Sequence, residues 1–474
     1  MKHSIKPMLM SALCAAVLAA CAVGASAQTT ASAAQPVTSV LTSDAAQLAT
    51  PFPQVLAMVL SQDPQVRGAR EALNVSLAAL KQTRSRLFPT AGVTTDFGRA
   101  RETSQGTPFD QRTNRTEAFL RWNLFNGFND TNQITATAHE RLASVADLQR
   151  TLDDVCQRTV EAYFDWLRLQ QQLDWAEQRV VEVAVLSDRV QRQFAGGKVS
   201  EGDAQLAASA LIDAQFARDS LVAERDTARN KVETLAGAPL GLPQPWAMPA
   251  EAALQARVDL SIDEALAKAR QGNGQWRAAQ ERAEAARIRI GRVAPDYLPK
   301  LELDLRRRMN DKADPQLNPT TDRAWSLQLS YAIPLGGEIG ARREELQARA
   351  QGALADVDRV EQSVRGELAA ARFRGLQAQA AQEPVARQVR YLQEVVRTSE
   401  IQFEAGRRSL LQLIQLRDQR FVAEQRSADN AYRVLNAQSQ WLATSGTLAT
   451  TLGVAVPEDV RSPVQAEGQR TGVR

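Results

Sequence analysis

Catalysis and metal binding require particular donors at particular spacings, and this chain of 474 residues offers few of them. Its two histidines are His3, close to the N-terminus, and His139, alone in a long stretch of helical pattern. No His/Cys spacing of the kind that holds zinc is present. Gly336-Gly337-Glu338-Ile339-Gly340 lacks the spacing and the preceding fold context of a nucleotide fingerprint and reads as a strand-to-helix turn. Paired acids recur along the helical stretches, as they do on any charged coiled coil. The chain is therefore expected to be no enzyme, with no catalytic residue, no metal and no cofactor. Cys156 sits in a heptad run and reads as a buried structural thiol.

The remaining cysteines, Cys14 and Cys21, belong to an export signal. Lys2, His3 and Lys6 form a basic start, Met8 to Val23 is small and apolar, and Ala25-Ser26-Ala27 offers a cleavage site before Gln28. Leu18-Ala19-Ala20-Cys21 also has the form of a lipobox, which would leave a lipidated Cys21 as the first residue. Cleavage before Gln28 is the reading adopted, with a signal over 1–27 and a flexible segment over 28–51. Net charge is +3, too small to suggest nucleic-acid binding. Aromatics are 5%, and Ala, Gln, Arg, Glu and Leu dominate long stretches, which favours extended helices over a compact globule. After the signal no run of 18 or more apolar residues occurs, so a membrane crossing would have to use strands.

The elements that such a crossing needs are written twice. Gln65, Arg67, Ala69, Glu71 and Pro89 recur 210 residues later as Gln275, Arg277, Ala279, Glu281 and Pro299. Gln193-Phe194 and Gly197 recur 209 later as Gln402-Phe403 and Gly406. The two repeats are placed at 52–236 and 261–452, with a proline-bearing linker at 237–260 and a tail at 453–474. In each, a helix ends at a proline, which cannot continue it. A strand, a polar loop, a second strand and a very long helix follow. Strands are predicted at about 90–98, 116–125, 300–308 and 324–333. Leu301, Leu303 and Leu305 alternate with Glu302, Asp304 and Arg306; Trp325, Leu327, Leu329, Tyr331 and Ile333 alternate with small and polar residues. Val93, Thr95 and Phe97 follow the rule, as do Ala118, Leu120, Trp122 and Leu124, although Phe119 breaks it. Runs of about nine to eleven residues suit tilted strands in a bilayer. The loops Gly98 to Asn114 and Met309 to Asp322 are polar and suit an external surface. Four strands cannot close a barrel, and lipid does not tolerate an open edge, so the barrel must be shared between chains. Two chains would give eight strands, a number filled by its own side chains; three would give twelve and an open duct.

Between Asn129 and Phe194 there is neither proline nor glycine, and about 65 helical residues span about 100 Å. Val155, Thr159, Ala162, Trp166, Leu169, Leu173, Ala176, Val180 and Val183 follow the 4-3 spacing of a left-handed coiled-coil seam. A partner helix returns over Val199 to Leu235. The second repeat has a long helix from Gly340 to Phe403, with Val357, Val360, Val364, Leu368, Ala371 and Gly375 on a seam, and a return from Ser409 to Leu452. Pro384 is expected to interrupt the second long helix and kink it.

Over about residues 52 to 455 this pattern resembles the TolC family of outer-membrane channel-tunnels. The helix-turn motif aromatic-x-x-Gly-x-x-Ser/Thr-x-x-Asp stands here as Phe194, Gly197, Ser200 and Asp203, and again as Phe403, Gly406 and Ser409, with Gln412 in the acidic place. The resemblance implies a mainly α fold with a membrane β-barrel portion. Four strands and a long antiparallel α-helical coiled coil per chain would assemble as a homotrimer, with a twelve-stranded β-barrel and an α-barrel tunnel. It implies an outer-membrane location in contact with lipid, and partners in a periplasmic adaptor and an inner-membrane ABC transporter or efflux pump. It also implies that Arg408 and Asp203 latch the tip closed, and that the constriction falls at Gln412 and Gln415. Family members often add a Tyr to that latch, where this chain has Phe403, and carry acidic rings where it has the two glutamines. The expected function is an outer-membrane exit duct, most directly for type I secretion of a protein toxin. The alternatives are the channel of a resistance-nodulation-division drug pump and, in another class, a soluble periplasmic coiled-coil adaptor.

Overall fold

The structure is a computed structural model describing residues 50–104, 107–246, 249, 261–291, 298–311, 320–331 and 336–454. The signal with Cys21, the segment up to residue 49, most of 247–260 and the tail from 455 lie outside the described residues.

A four-stranded antiparallel sheet is built from two hairpins in chain order: β1 (Thr90–Ser104), β2 (Thr107–Phe125), β3 (Lys300–Asp311) and β4 (Thr320–Ser330). The register sets Val93 against Ala118, Leu120 against Leu305 and Leu303 against Leu327, so the apolar residues of all four strands share one face. That face is unpartnered, with Phe97, Trp325 and Leu329 about 70% exposed or more. The opposite face carries a charge lattice: Arg121 to Glu302 at 2.8 Å, Arg306 to Asp304 at 2.7 Å and Arg308 to Glu117 at 3.3 Å. Phe119, the exception in the alternation, lies on this polar face directly opposite Gly92. Its ring occupies the space that a side chain on Gly92 would fill, and the Arg121 guanidinium sits 5.7 Å from its centroid.

The hairpins are longer than expected. Pairing in the first continues to Ser104 opposite Thr107, and β3 and β4 pair from Lys300–Ser330 to Asp311–Thr320. The first stretch expected as a polar loop is thus largely extended backbone, and in the second residues 309–311 and 320–322 are strand while 312–319 lie outside the described residues; ladder hydrogen bonds form regardless of side-chain polarity once a hairpin is in register. β4 ends at Ser330, so Tyr331 lies beyond it, while Ile333 is outside the described residues.

Helices α1 (Phe52–Gln62) and α2 (Pro64–Ser85) lead into β1; α3 (Asn129–Ala195) and α4 (Glu201–Ala236) follow β2. The second repeat matches them with α5 (Ile262–Gly272), α6 (Gly274–Ile290), α7 (Glu338–Glu404) and α8 (Leu410–Ser445), and then the short α9 (Leu448–Thr451). Both long helices have 67 residues and both returning helices have 36. At 1.5 Å per residue the long helices reach about 100 Å from the sheet. The α3 seam is buried as its spacing requires, apart from a half-buried Val180. On the α7 seam Val360, Val364, Leu368, Ala371 and Gly375 are buried. Contrary to expectation, α7 runs unbroken through Pro384. Pro384 removes one backbone donor and crowds the carbonyl of Ala380, at a place where none of residues 379–395 is buried.

α3 is the spine. α2 covers its sheet-proximal half on one flank, reaching Arg158 from Gln65, and α4 covers the distal half, reaching Gln170 from Arg225. On the other flank α6 pairs with the proximal half through Glu281 to His139 at 2.7 Å and Arg282 to Asp147. α8 takes the distal half through Arg168 to Asp429 at 3.0 Å and Arg179 to Asp418 at 2.7 Å. Where one covering helix hands over to the next, α1, α9 and the start of the linker pack as a girdle. Phe52 stacks on Trp246 at 4.0 Å, and the Tyr163 hydroxyl bonds the carbonyls of Thr50 and Gln244. The return helix expected to run to Leu452 breaks here instead. Gly446 adopts φ +74°, and a Cβ on it would meet the Gly272 carbonyl oxygen at 2.2 Å, so only glycine fits.

Candidate functional site

The far end of the molecule is formed by two turns, α3 to α4 and α7 to α8, built by the same local rules. Gly197 and Gly406 both have φ +71°. Each permits a paired closure of the preceding helix: Gly197 N–H bonds Phe194 O and Lys198 N–H bonds Gln193 O, while Gly406 N–H bonds Phe403 O and Arg407 N–H bonds Gln402 O. Three residues on, Ser200 and Ser409 take extended backbone and cap the returning helices, accepting from the N–H of Asp203 at 3.1 Å and of Gln412 at 3.4 Å. The two tips lean on one another through Leu186, Val190, Ala204, Ala207, Leu410 and Leu413, against which Phe403 packs; Phe194 is 40% exposed.

The polar residues expected at this end are placed but not joined as a latch within the chain. Asp203 accepts from the Ser200 hydroxyl at 2.8 Å, an acidic answer to its own cap. Arg408 donates to the Ser399 hydroxyl and to Gln402 Oε1 on α7. Gln412 and Gln415 lie exposed, three residues apart on the first turns of α8. What does tie the tips together is a set of ion pairs that sequence reasoning missed. Arg189 of α3 pairs with Glu404 of α7, Arg420 of α8 with Glu182 of α3 at 2.5 Å, and Arg417 binds both Glu400 at 2.5 Å and the Glu182 carbonyl at 3.1 Å. These charges flank the seam at helical spacing, but spacing on one helix does not say which helix faces it.

Among the described residues no group of His, Cys, Asp and Glu is arranged to hold a metal ion, and no helix is long and apolar enough to cross a membrane. The remaining route across lipid is the sheet, whose apolar face and polar face divide as the two sides of a barrel wall do.

A sheet that forms part of a barrel wall, carried on helices of about 100 Å with re-entrant tips, defines a channel-tunnel subunit. The chain belongs to the outer membrane efflux protein family, whose model matches residues 55–238 and 265–448. It is an outer-membrane channel of this TolC-like type, a conduit and not an enzyme, with its helical body extending into the periplasm. Solved structures share the fold. The outer-membrane channel OprN aligns at TM-score 0.69 and 18% identity over 84% of this chain and 90% of its own. The CmeC outer membrane channel of Campylobacter jejuni aligns at TM-score 0.70 and 13% identity over 84% and 86%. The open state of the MtrE outer membrane channel of Neisseria gonorrhoeae aligns at TM-score 0.67 and 18% identity over 84% and 89%. No curated protein matches the sequence significantly.

Proposed function

We propose that the chain works as a homotrimer, a continuous duct with a twelve-stranded barrel in the outer membrane and a helical tunnel below it. The observation that carries this is the sheet: four strands in the order β1-β2-β3-β4, with β1 and β4 as free edges and an unpartnered apolar face. Unpaired edge groups cost several kcal/mol each in lipid, at about the level of a lost buried hydrogen bond. Three copies joined β4 to β1 remove every edge. The protein extracted from outer membranes should run as a trimer on unheated SDS gels and as a monomer after boiling. Recovery only from the soluble periplasmic fraction would return the chain to the adaptor class.

For cargo, the reading is type I secretion of a protein toxin, with an ABC transporter and a periplasmic adaptor docking at the tips. Its support is the signal-peptidase site Ala25-Ser26-Ala27, since cleavage before Gln28 would give an unlipidated N-terminus. Drug export through a resistance-nodulation-division pump is the competing reading, favoured by the efflux description of the family. Deleting the gene separates them: loss of a secreted protein with unchanged drug susceptibility supports the first, and the converse supports the second. The N-terminus of the mature protein, read by mass spectrometry, decides between Gln28 and a lipidated Cys21.

A further inference from the structure

The charges on the two faces of the sheet are treated differently. Arg121, Arg306 and Arg308 on the polar face each have a carboxylate. Arg307 and Arg323 stand on the apolar face, directly opposite one another across the β3–β4 ladder. Both are exposed, and neither has an ion pair or hydrogen bond within the described residues. Like charges in directly opposed positions repel, so an unneutralised pair here is destabilising.

Their height matters as much as their pairing. Going from the helix-bearing end of the sheet towards the hairpin tips, β3 reads Leu301, Leu303, Leu305, Arg307 on this face, and its partners on β4 read Leu329, Leu327, Trp325, Arg323. Arg307 lies six residues beyond Leu301, a rise of about 20 Å along a strand that tilts in a barrel wall, and with Arg323 it ends the apolar run of this face. The arginines therefore cap the apolar band at its outer margin, one step past an exposed Trp325 of the kind that marks a membrane–water boundary. A shallow cavity of about 420 Å³ opens on this face, lined among others by Ala118, Leu120, Leu305, Arg307, Arg323 and Trp325. It has an apolar floor and two guanidinium groups at its outer rim. In the other hairpin the register sets Arg99 opposite Arg112, further along the positions that carry Val93, Thr95 and Phe97.

We propose that Arg307 and Arg323 together bind the phosphate of an anionic lipid in the outer leaflet, with its acyl chains lying on the leucine and tryptophan surface below. Two planar guanidinium groups suit a phosphomonoester, and each can offer paired donors. The bound phosphate neutralises the opposed pair and fixes the depth of the barrel in the membrane. The inference rests on the barrel reading of the preceding section.

The test uses the full-length protein purified in neutral detergent, with lipid binding counted by native mass spectrometry from mixed micelles of phosphatidic acid and phosphatidylcholine. Wild type is expected to prefer phosphatidic acid by roughly 10- to 30-fold, the effect of two basic side chains at an anionic surface. The Arg307→Gln/Arg323→Gln variant is expected to bind the two lipids alike. Equal binding by wild type, a comparison that needs no variant, overturns the proposal, as does an undiminished preference in the double variant. Displacement of the lipid by millimolar inorganic phosphate would indicate a free-phosphate site and also overturns it. Unheated SDS gels of the same samples separate the two levels. A lipid result obtained on trimers bears on the arginine pair, whereas a wild-type chain that forms no trimer overturns the barrel reading and this inference with it.

Discussion

Asp153 is buried on α3 with one oxygen accepting from the Ala449 N–H at 2.8 Å and the other without a partner among the described residues. Burial, with the neighbouring Asp154 charge adding to it, raises its pKa from 3.8 to about 7. Between those values the folded chain holds a proton that the unfolded chain has released, so this group's contribution to stability falls as pH rises through that window. Asp153→Asn keeps the acceptor and removes the ionisation. The variant should match wild type at pH 4 and exceed it by roughly 2–4 kcal/mol at pH 8, read as guanidinium midpoints in detergent. A nearby residue answers to geometry alone. Gly446→Ala must take φ +74° and push into the Gly272 backbone, so about 2–4 kcal/mol of destabilisation is expected in the same assay. Cys156, read from its heptad position as a structural thiol, is fully buried, and burial pushes its pKa to about 12, as an inert thiol requires.

The helical hairpins show how far a local motif determines an element. Phe, Gly and Ser at fixed offsets are enough to close one helix, turn the chain and cap the next, and both copies do so with the same φ at glycine. The partners of the polar residues on those turns are less local. Inside one chain Asp203 serves its own cap and Arg408 tethers its turn to α7, so a latch between the two remains available only across chains. If it forms there, Arg408→Ala and Asp203→Ala each loosen the tip and raise single-channel conductance in planar bilayers. Unchanged conductance in both would dismiss the latch and leave the residues as turn-formers. Truncating Asp203 also removes part of the cap, an effect of about 1 kcal/mol that leaves conductance alone.

At the scale of the molecule, a spine helix is covered in two lengths on each flank, and the joints between lengths fall at the girdle. That arrangement explains why the short helices α1, α5 and α9 exist. The covering helices must stop and restart at Asp63, Asn273 and Gly446, and the gaps are closed by aromatic packing around Phe52, Tyr163 and Trp246. The assembly follows from the sheet, and its test is the heat-modifiable trimer: a stable monomer in membranes would mean that the free edges are satisfied in another way.

Much of this was legible in the chain itself. Spacing alone located the α3 seam, the ends of the long helices to within a residue or two, and the alternating strands, because each depends on neighbours in sequence. The length of the hairpins was not legible, since ladder bonds ignore the polar side chains that suggested loops. Neither was the continuity of α7 through Pro384, a residue that in sequence reads as a helix breaker. Phe119 became intelligible only when Gly92 was found opposite it. The ion pairs between α3 and α8, the unpaired carboxyl oxygen of Asp153 and the bare Arg307–Arg323 pair depend on which surfaces meet. The sequence determined periodicity, turns and repeat; the tertiary structure alone decided partnership, because charge and burial are properties of a residue's surroundings and those are assembled from distant parts of the chain.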